Sequence, residues 1–192
     1  MPSNRLLAKE EVATYSGMLL DAVYADGGED RVLDVRDQLE QVLAIYRGNA
    51  DLRDALNDPV FLPEQRHALA ANVFEGIDPL AVSVFAVMAE RGDFDKLSQV
   101  VSAYRDASEE KLGVCVVDVT TVVALDDELR RVISDKLSAD LGKGVVLREH
   151  IDGSILGGII MTTQGKRIDA SVSSQLEHTR AVLTQSYDGG EC

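Results

Sequence analysis

Three histidines are the residues of this chain best suited to bind a metal or to transfer protons near neutral pH. His67, His150 and His178 lie far apart and fall in three different predicted elements. None has a second histidine, a cysteine or a paired carboxylate at the spacing that metal ligands need. The pattern is typical of histidines that are solvated or close to helix caps. It predicts no metal site and no cofactor.

The groups that could carry covalent or phosphate chemistry are equally isolated. Cys115 lies in a predicted strand and Cys192 stands at the end of the sequence, so no disulfide framework is predicted. Gly-x-Ser-x-Gly, a common nucleophile motif, does not occur. Gly142-Lys143-Gly144 and Gly165-Lys166 lack the other residues of a phosphate-binding loop. We therefore interpret them as a helix end and a turn, and we expect no catalysis.

Composition and charge narrow the class of partner. With 45% hydrophobic and 27% charged residues, the sequence is typical of a folded globular protein. The formal charge of −14, of which −10 falls in residues 1–112, disfavours nucleic acids and anionic lipid. The longest uncharged apolar stretch, residues 79–89, is too short to span a membrane. No targeting segment is visible, so we expect a reduced cytosolic chain with basic protein segments as partners.

Residues 5–112 show the apolar spacing of successive helices. Their ends are indicated by glycine, or by proline, which cannot continue a helix. Helices are predicted to end at Gly27-Gly28, Gly48, Asn57-Asp58-Pro59 and Arg91-Gly92, and to begin at Pro63, Pro79 and Asp93. Six helices with such short connections predict a compact antiparallel bundle.

Residues 105–113 lose the helical period, and they are predicted to end the sixth helix and to form a hinge. After them the pattern is that of strands and helices in alternation. Strands are predicted at 114–123, 145–151, 155–163 and 167–168, with one helix between Asp126 and Gly142 and a last helix capped by Asp169 or Ser171. We therefore expect a mainly α protein: a six-helix bundle over 1–107, a hinge over 108–112 and a small α+β domain over 113–192.

The predicted fifth helix is apolar around almost its whole circumference, from Leu80 to Ala89. Either it is a central helix that is buried on all sides, or one face packs while Val84, Val87 and Met88 line a groove for a partner helix. The first helix is similarly over-apolar around Leu19. Two such helices side by side would form an apolar groove with an acidic rim. That groove would suit an amphipathic and preferably basic partner helix.

The C-terminal half resembles a known family. Ile151-Asp152-Gly153-Ser154-Ile155-Leu156-Gly157-Gly158, followed by Ile168-Asp169-Ala170-Ser171-Val172, is similar to the delta subunit family of F-type ATP synthase. The mitochondrial relative of that family is the oligomycin sensitivity-conferring protein. Upstream motifs occur in the matching order: Tyr15, Asn57-Asp58-Pro59, Met88-Ala89-Glu90-Arg91-Gly92 and Tyr104. Ala170 and Asp93 depart from the family pattern, which affects local turns and contacts.

The resemblance implies a non-catalytic stator subunit that is present once in each complex. Its N-terminal bundle would hold the N-terminal helix of an alpha subunit in a groove matched here by Tyr15, Leu19, Val84, Val87 and Met88. Its C-terminal domain, which carries the motif residues Asp152, Gly157, Gly158, Asp169 and Ser171, would bind the C-terminal region of the b subunits. The expected location is the cytoplasmic face of a bacterial plasma membrane, through the complex. The alternative is a free-standing acidic adaptor that binds helices.

Overall fold

The computed structural model describes residues 3–163 and 166–187, and the chain divides into two compact units, Met1–Leu112 and Gly113–Cys192. The first unit is helical. It comprises α1 (Ser3–Gly48), α2 (Ala50–Asn57), α3 (Pro63–Val73), α4 (Pro79–Arg91), a 3₁₀ turn (Phe94–Lys96) and α5 (Leu97–Leu112). The second unit contains a four-stranded sheet. It comprises β1 (Val114–Thr121), α6 (Asp127–Leu141), β2 (Gly144–Ile151), β3 (Gly158–Thr163), β4 (Lys166–Ser171) and α7 (Val172–Tyr187).

The predicted break between the first two helices is a kink inside α1. Gly28 has φ 68° and ψ −153°, a backbone conformation outside the helical region that glycine adopts without a Cβ penalty. The first two predicted helices are therefore the two arms of one element. Arg31 fixes the kink, because its guanidinium contacts Asp26 on the other arm and donates from Nε to Asp78 Oδ2 at 2.9 Å.

The core of the first unit is formed by both arms of α1 together with buried residues of α2, α3, α4, the 3₁₀ turn and α5. Val23, Val32, Val35 and Leu39 of α1 are fully buried there. An aromatic cluster closes one part of this core, with ring centroids 5.2 to 6.1 Å apart: Tyr46, Phe74, Phe85 and Phe94. Such offset and edge contacts add to the stability that burial provides.

Most helix ends follow the residues that predict them. Pro63 and Pro79 occupy the first turns of α3 and α4, where a missing N–H costs nothing. Asp78 caps α4 by accepting from the Leu80 amide, and Gly92 ends it with φ 75°. Asp93 is the exception, since its side chain makes no cap hydrogen bond. Its carboxylate is instead bonded to Tyr15 and Lys96.

The predicted hinge at 108–112 is wrong as a description of local structure, because these residues are the last turns of α5. Ser108 is fully buried, and its hydroxyl donates to the Arg105 carbonyl. Glu109 is 8% exposed, and its carboxylate lies 3.8 Å from the buried Arg36 guanidinium. Polar side chains therefore occupy the inner face of this turn, which explains why the apolar period fades there. Gly113, with φ 66°, alone separates α5 from β1.

The sheet of the second unit has the strand order β2-β1-β3-β4. β1 and β2 are parallel and are connected through α6, whereas β3 pairs antiparallel with both β1 and β4. Cys115, Val117 and Val119 of β1 are buried beneath α6 together with Leu125. Asp126 caps α6 by accepting from the Leu129 amide, and Gly142 ends it with φ 67°, as predicted.

The third strand begins later than predicted, at Gly158 rather than Ile155. Gly157 and Gly158 have φ of 145° and 85°, so the chain turns there before it enters the sheet. Of the two predicted caps for α7, Ser171 fills the role, because its hydroxyl accepts from the Ser174 amide at 3.2 Å. In the turn predicted at Gly165-Lys166, Gly165 lies outside the described residues.

Candidate functional site

Helix α4, predicted from the sequence as the fifth helix, has one face in the core and one face in solvent. Its inner face is fully buried: Ala81, Phe85, Met88 and Ala89. Its outer face is exposed at positions spaced by three or four residues: Pro79, Ser83, Val87 and Glu90. Val84 lies between the two faces and packs against the core. The helix is therefore not buried on all sides, which removes the central-helix interpretation and leaves the partner-groove interpretation standing.

A polar network joins α1 to the chain just after α4. Tyr15 Oη donates to Asp93 Oδ2 at 2.9 Å. Lys96 Nζ lies 2.7 Å from Asp93 Oδ1 and 2.5 Å from Oε2 of Glu11, one turn before Tyr15 on α1. The Arg91 guanidinium lies 6.0 Å from the centroid of the Tyr15 ring. The carboxyl end of α4 is therefore fixed against the first arm of α1, one helical turn from Val87.

The contacts among Tyr15, Asp93 and Lys96 change the pKa values of all three side chains. Burial, followed by the hydrogen bond to Asp93, raises the pKa of Tyr15 to about 12. Burial opposes ionisation of Asp93, but hydrogen bonds from Lys96 and Tyr15 outweigh it and lower the pKa of its carboxyl. Hydrogen bonds to Asp93 and Glu11 raise the pKa of Lys96. Near neutral pH Lys96 is thus an ammonium beside the Asp93 carboxylate and the neutral Tyr15 phenol, a structural arrangement in which these three groups offer no proton donor or acceptor poised for catalysis.

The five predicted groove residues differ in what they can offer to a partner. Leu19 and Met88 are 1% and 0% exposed, so they belong to the core and support the surface from below. Tyr15 is also buried, with its hydroxyl held by Asp93. Val84 is half-buried, and Val87 is 41% exposed. Of the five, Val87 presents the largest accessible apolar side chain.

Sequence reasoning missed the partners of Tyr15. Glu11 and Tyr15 share a helix face through their spacing of four residues, which is a visible signal. The contact from Glu11 to Lys96 joins residues 85 positions apart, and no local pattern predicts it. Asp93 precedes an apolar helix, a pattern typical of a helix cap, and that pattern hides its role between α1 and α4.

The motif residues of the second unit form a tight junction between β3, β4 and α7. Gly158 pairs with Ser171, and a Cβ at Gly158 would lie 2.5 Å from the Ala170 carbonyl oxygen. The Val172 amide donates to the Gly157 carbonyl at 3.0 Å, and Asp169 Oδ1 accepts from the Ser171 amide. The glycines therefore permit close backbone approach within the chain itself.

Asp152 of the same motif lies in a different turn. Its Oδ1 accepts from the Ser154 amide at 2.9 Å, and its own amide donates to the Thr121 carbonyl at the end of β1. Hydrogen bonds from Ser154 lower the pKa of Asp152, and hydrogen bonds from Ser171 lower that of Asp169. Both carboxylates thus act as acceptors that shape turns. The motif fixes local backbone geometry in the second unit.

Within residues 3–163 and 166–187, no group of three or more His, Cys, Asp or Glu side chains is arranged to hold a metal ion. Over the same residues, no helix has the length and hydropathy of a membrane span. His67 lies 3.0 Å from Glu90, and His150 lies 3.6 Å from Asp118, each at the surface.

Residues 14–183 match the family model described as ATP synthase delta (OSCP) subunit. The chain belongs to this family. It is 31% identical over 169 residues to the ATP synthase subunit delta of Symbiobacterium thermophilum, covering 86% of this chain and 91% of that protein. It is 29% identical to the corresponding subunit of Synechococcus sp. strain CC9605, covering 90% of this chain and 94% of that protein.

The fold agrees with the family as well. A chain of the Toxoplasma gondii mitochondrial ATP synthase hexamer superposes with a TM-score of 0.51 at 18% identity, covering 90% of this chain and 97% of that chain. This delta-family chain is therefore a non-catalytic subunit of the ATP synthase stator, and its association with the membrane is indirect, through the complex. The predicted family and the predicted lack of catalysis are confirmed by these relatives.

Proposed function

We propose that this chain links the alpha subunits of the catalytic head to the b subunits of the peripheral stalk, so that the head resists the torque of the rotor. The first unit, with the two arms of α1 as separate helices of a six-helix bundle, binds the N-terminal helix of an alpha subunit. The second unit binds the C-terminal region of the b subunits. One copy acts in each complex, at the cytoplasmic face of a bacterial plasma membrane.

The exposed face of α4 is the observation that carries the first half of the proposal. Val87 leaves apolar surface uncovered on a helix whose other side is fully buried, and Val84 extends that surface inward. Tyr15 donates to Asp93 and Lys96 donates to Glu11, and these bonds hold α1 beside the end of α4, so the surface is already formed before a partner arrives. A preformed apolar surface loses little ordering entropy on binding.

Charge supports a basic amphipathic partner. The first unit contributes −10 of the formal charge of −14. An acidic rim around an apolar stripe attracts a helix that has apolar residues on one side and Lys or Arg beside them. Two contacts at the two ends of one chain also add through effective concentration, so that neither contact alone has to be strong.

A pair of valines on neighbouring helices provides the test of the proposed contact with the alpha subunit. Val87→Asp places a carboxylate in the proposed surface and is expected to weaken binding of an alpha-subunit N-terminal peptide at least about tenfold, since it removes apolar burial and adds a charge to desolvate. Val73→Asp on α3 is the matched control, because Val73 is 44% exposed against 41% for Val87. Calorimetric titration measures both variants. Equal affinities for both variants and the unchanged chain would contradict the proposed surface.

A truncation after Leu112 tests the division between the two units. The first unit has its own core and ends at the last residue of α5. The fragment is therefore expected to keep the alpha peptide and to lose the b subunits in a pull-down with the full chain as control. Retention of the b subunits by the fragment would overturn the assignment of the stalk contact to the second unit. Purification of the full chain without any synthase subunit would favour the adaptor alternative.

A further inference from the structure

An apolar groove of about 910 Å³ lies in the second unit, between α6 and the sheet. Most of its apolar lining comes from α6 on one side and from β3 and β4 on the other: Leu129, Ile133, Leu137, Ile159, Met161 and Ile168. Leu129 is 46% exposed and Ile168 is 48% exposed, so the groove leaves a substantial apolar surface accessible. A groove of this size and composition is typical of a surface that binds another molecule.

The rest of the second unit covers the side chains of α6 only in part. None of its residues is fully buried, although Ile133 and Leu137 pack against the core beneath. Leu129, Ile133, Leu137 and Asp140 recur at three- and four-residue spacing along one side of the helix. The first and the last of them are eleven positions apart, or about 17 Å along the axis at 1.5 Å per residue. A partner helix of about three turns would match this length.

The charges along the groove indicate how such a helix is oriented. Asp126 at one end already accepts from the Leu129 amide as a cap. Asp140 and Lys136 line the other end, and among the described residues neither takes part in an ion pair or a side-chain hydrogen bond. Asp140 also lies in the last turn of α6, where the helix dipole favours a cation. A partner should therefore place Lys or Arg against Asp140 and an acidic residue against Lys136.

We infer that this groove is the site at which the second unit takes a single amphipathic helix, with an apolar stripe of about three turns and a basic residue at the end nearest Asp140. The inference rests on the proposed function, under which that helix belongs to the C-terminal region of a b subunit. Side-chain complementarity along α6 then sets the direction of the bound helix.

Two variants on α6 test whether the partner binds in the groove or elsewhere on the helix. Leu129→Asp introduces charge into the groove, and an acidic residue in a first helical turn is favourable to the fold. Val132→Asp is the matched control, because Val132 is 56% exposed and does not line the groove. With the full chain and a peptide from the C-terminal region of a b subunit, calorimetry should show at least about tenfold weaker binding for Leu129→Asp. Val132→Asp should change the affinity less than twofold.

A spectroscopic readout identifies the site directly. Met161 lines the groove, whereas Met88 is buried in the first unit. In a chain labelled at the methionine methyl groups, the b peptide should shift the Met161 resonance and leave the Met88 resonance in place. Met161→Leu assigns the signal. Asp140→Lys should weaken binding about threefold at low salt and less at high salt, since screening removes the charge contact.

The outcomes distinguish the inference from the function on which it rests. A b peptide that binds Leu129→Asp with full affinity and leaves Met161 unshifted would overturn the groove while the linking function stands. A full chain that does not bind the b peptide would overturn both. If Leu176→Asp on α7 shifts Met161 without any peptide, α7 covers the groove itself, which also overturns the inference. Leu176 is 59% exposed in the structure, so no such shift is expected.

Discussion

Replacement of Gly158 by alanine should destabilise the second unit strongly. Gly158 stands at the start of β3 with φ 85°, a conformation that L-residues rarely adopt. A Cβ there would lie 2.5 Å from the Ala170 carbonyl oxygen and 2.8 Å from Ser171 Cα. Both neighbours are backbone atoms of β4, which is paired to β3. The strands would have to separate to admit one methyl group.

Two costs add to give the expected magnitude. A non-glycine residue at a left-handed φ costs about 1 to 2 kcal/mol. Overpacking against atoms that cannot move away costs about 1 to 3 kcal/mol. We therefore expect the free energy of unfolding of the second unit to fall by about 2 to 5 kcal/mol, which is a large part of the stability of a small domain.

Two other glycines of the same unit separate these costs. Gly142 also has a left-handed φ, of 67°, but a Cβ there would meet no atom within 4 Å, so Gly142→Ala should cost only about 1 to 2 kcal/mol. Gly153 has neither a left-handed φ nor a close neighbour. Gly153→Ala should therefore change stability by no more than about 0.5 to 1 kcal/mol, through the unfolded chain.

Thiol labelling reports the opening of this unit specifically. Cys115 is 1% exposed in β1 and should react with a thiol reagent only when the sheet opens. The measurement uses urea titrations on a Cys192→Ser background, in which Cys115 is the single remaining thiol. A Gly158→Ala midpoint within error of Gly142→Ala would show that the close approach of β3 and β4 contributes nothing, and would refute the reasoning.

Three further outcomes follow from contacts of single side chains. Tyr15→Phe should cost about 1 to 2 kcal/mol through the lost bond to Asp93. Folding raises the pKa of Tyr15 from 10 to about 12. The stabilisation is therefore complete below pH 10 and is lost as the phenol ionises between pH 10 and 12. Spectrophotometric titration of the phenol and unfolding at alkaline pH can measure this loss. Glu109→Ala should cost about 3 kcal/mol in urea unfolding, since it leaves Arg36 buried without its partner; a loss below 1 kcal/mol would contradict that. Ser171→Ala should remove the cap of α7 at about 1 kcal/mol, visible as faster amide exchange in its first turn.

The sequence predicted the helix ends well because each depends on one residue whose chemistry acts locally. Pro63, Pro79, Gly92, Asp126 and Gly142 all stand where their conformational preferences place them. The residues of the predicted alpha-subunit groove were harder to assign, because an apolar pattern does not distinguish a side chain in the core from one at the surface. Whether a helix face is covered depends on packing partners that lie far along the chain.

The last turns of α5, residues 105–112, show why a fading apolar period is an unreliable sign of a linker. Ser108 and Glu109 are buried because each finds a polar partner, Arg105 and Arg36 respectively. A rule that assigns the inside of a helix to apolar residues then predicts a helix end several residues too early. The contact with Arg36, more than 70 positions earlier, offsets the cost of burying Glu109.

The position of β1 in the sheet has a mechanical consequence. The chain leaves α5 through Gly113 directly into β1, and β1 lies inside the sheet with β2 on one side and β3 on the other. A pull on this strand along its axis would strain the hydrogen bonds to both neighbours at once, in shear, whereas an edge strand would be peeled away one bond at a time. In the proposed linking role, the connection between the two units would therefore enter the sheet at an inner strand, which resists extraction more than an edge strand does.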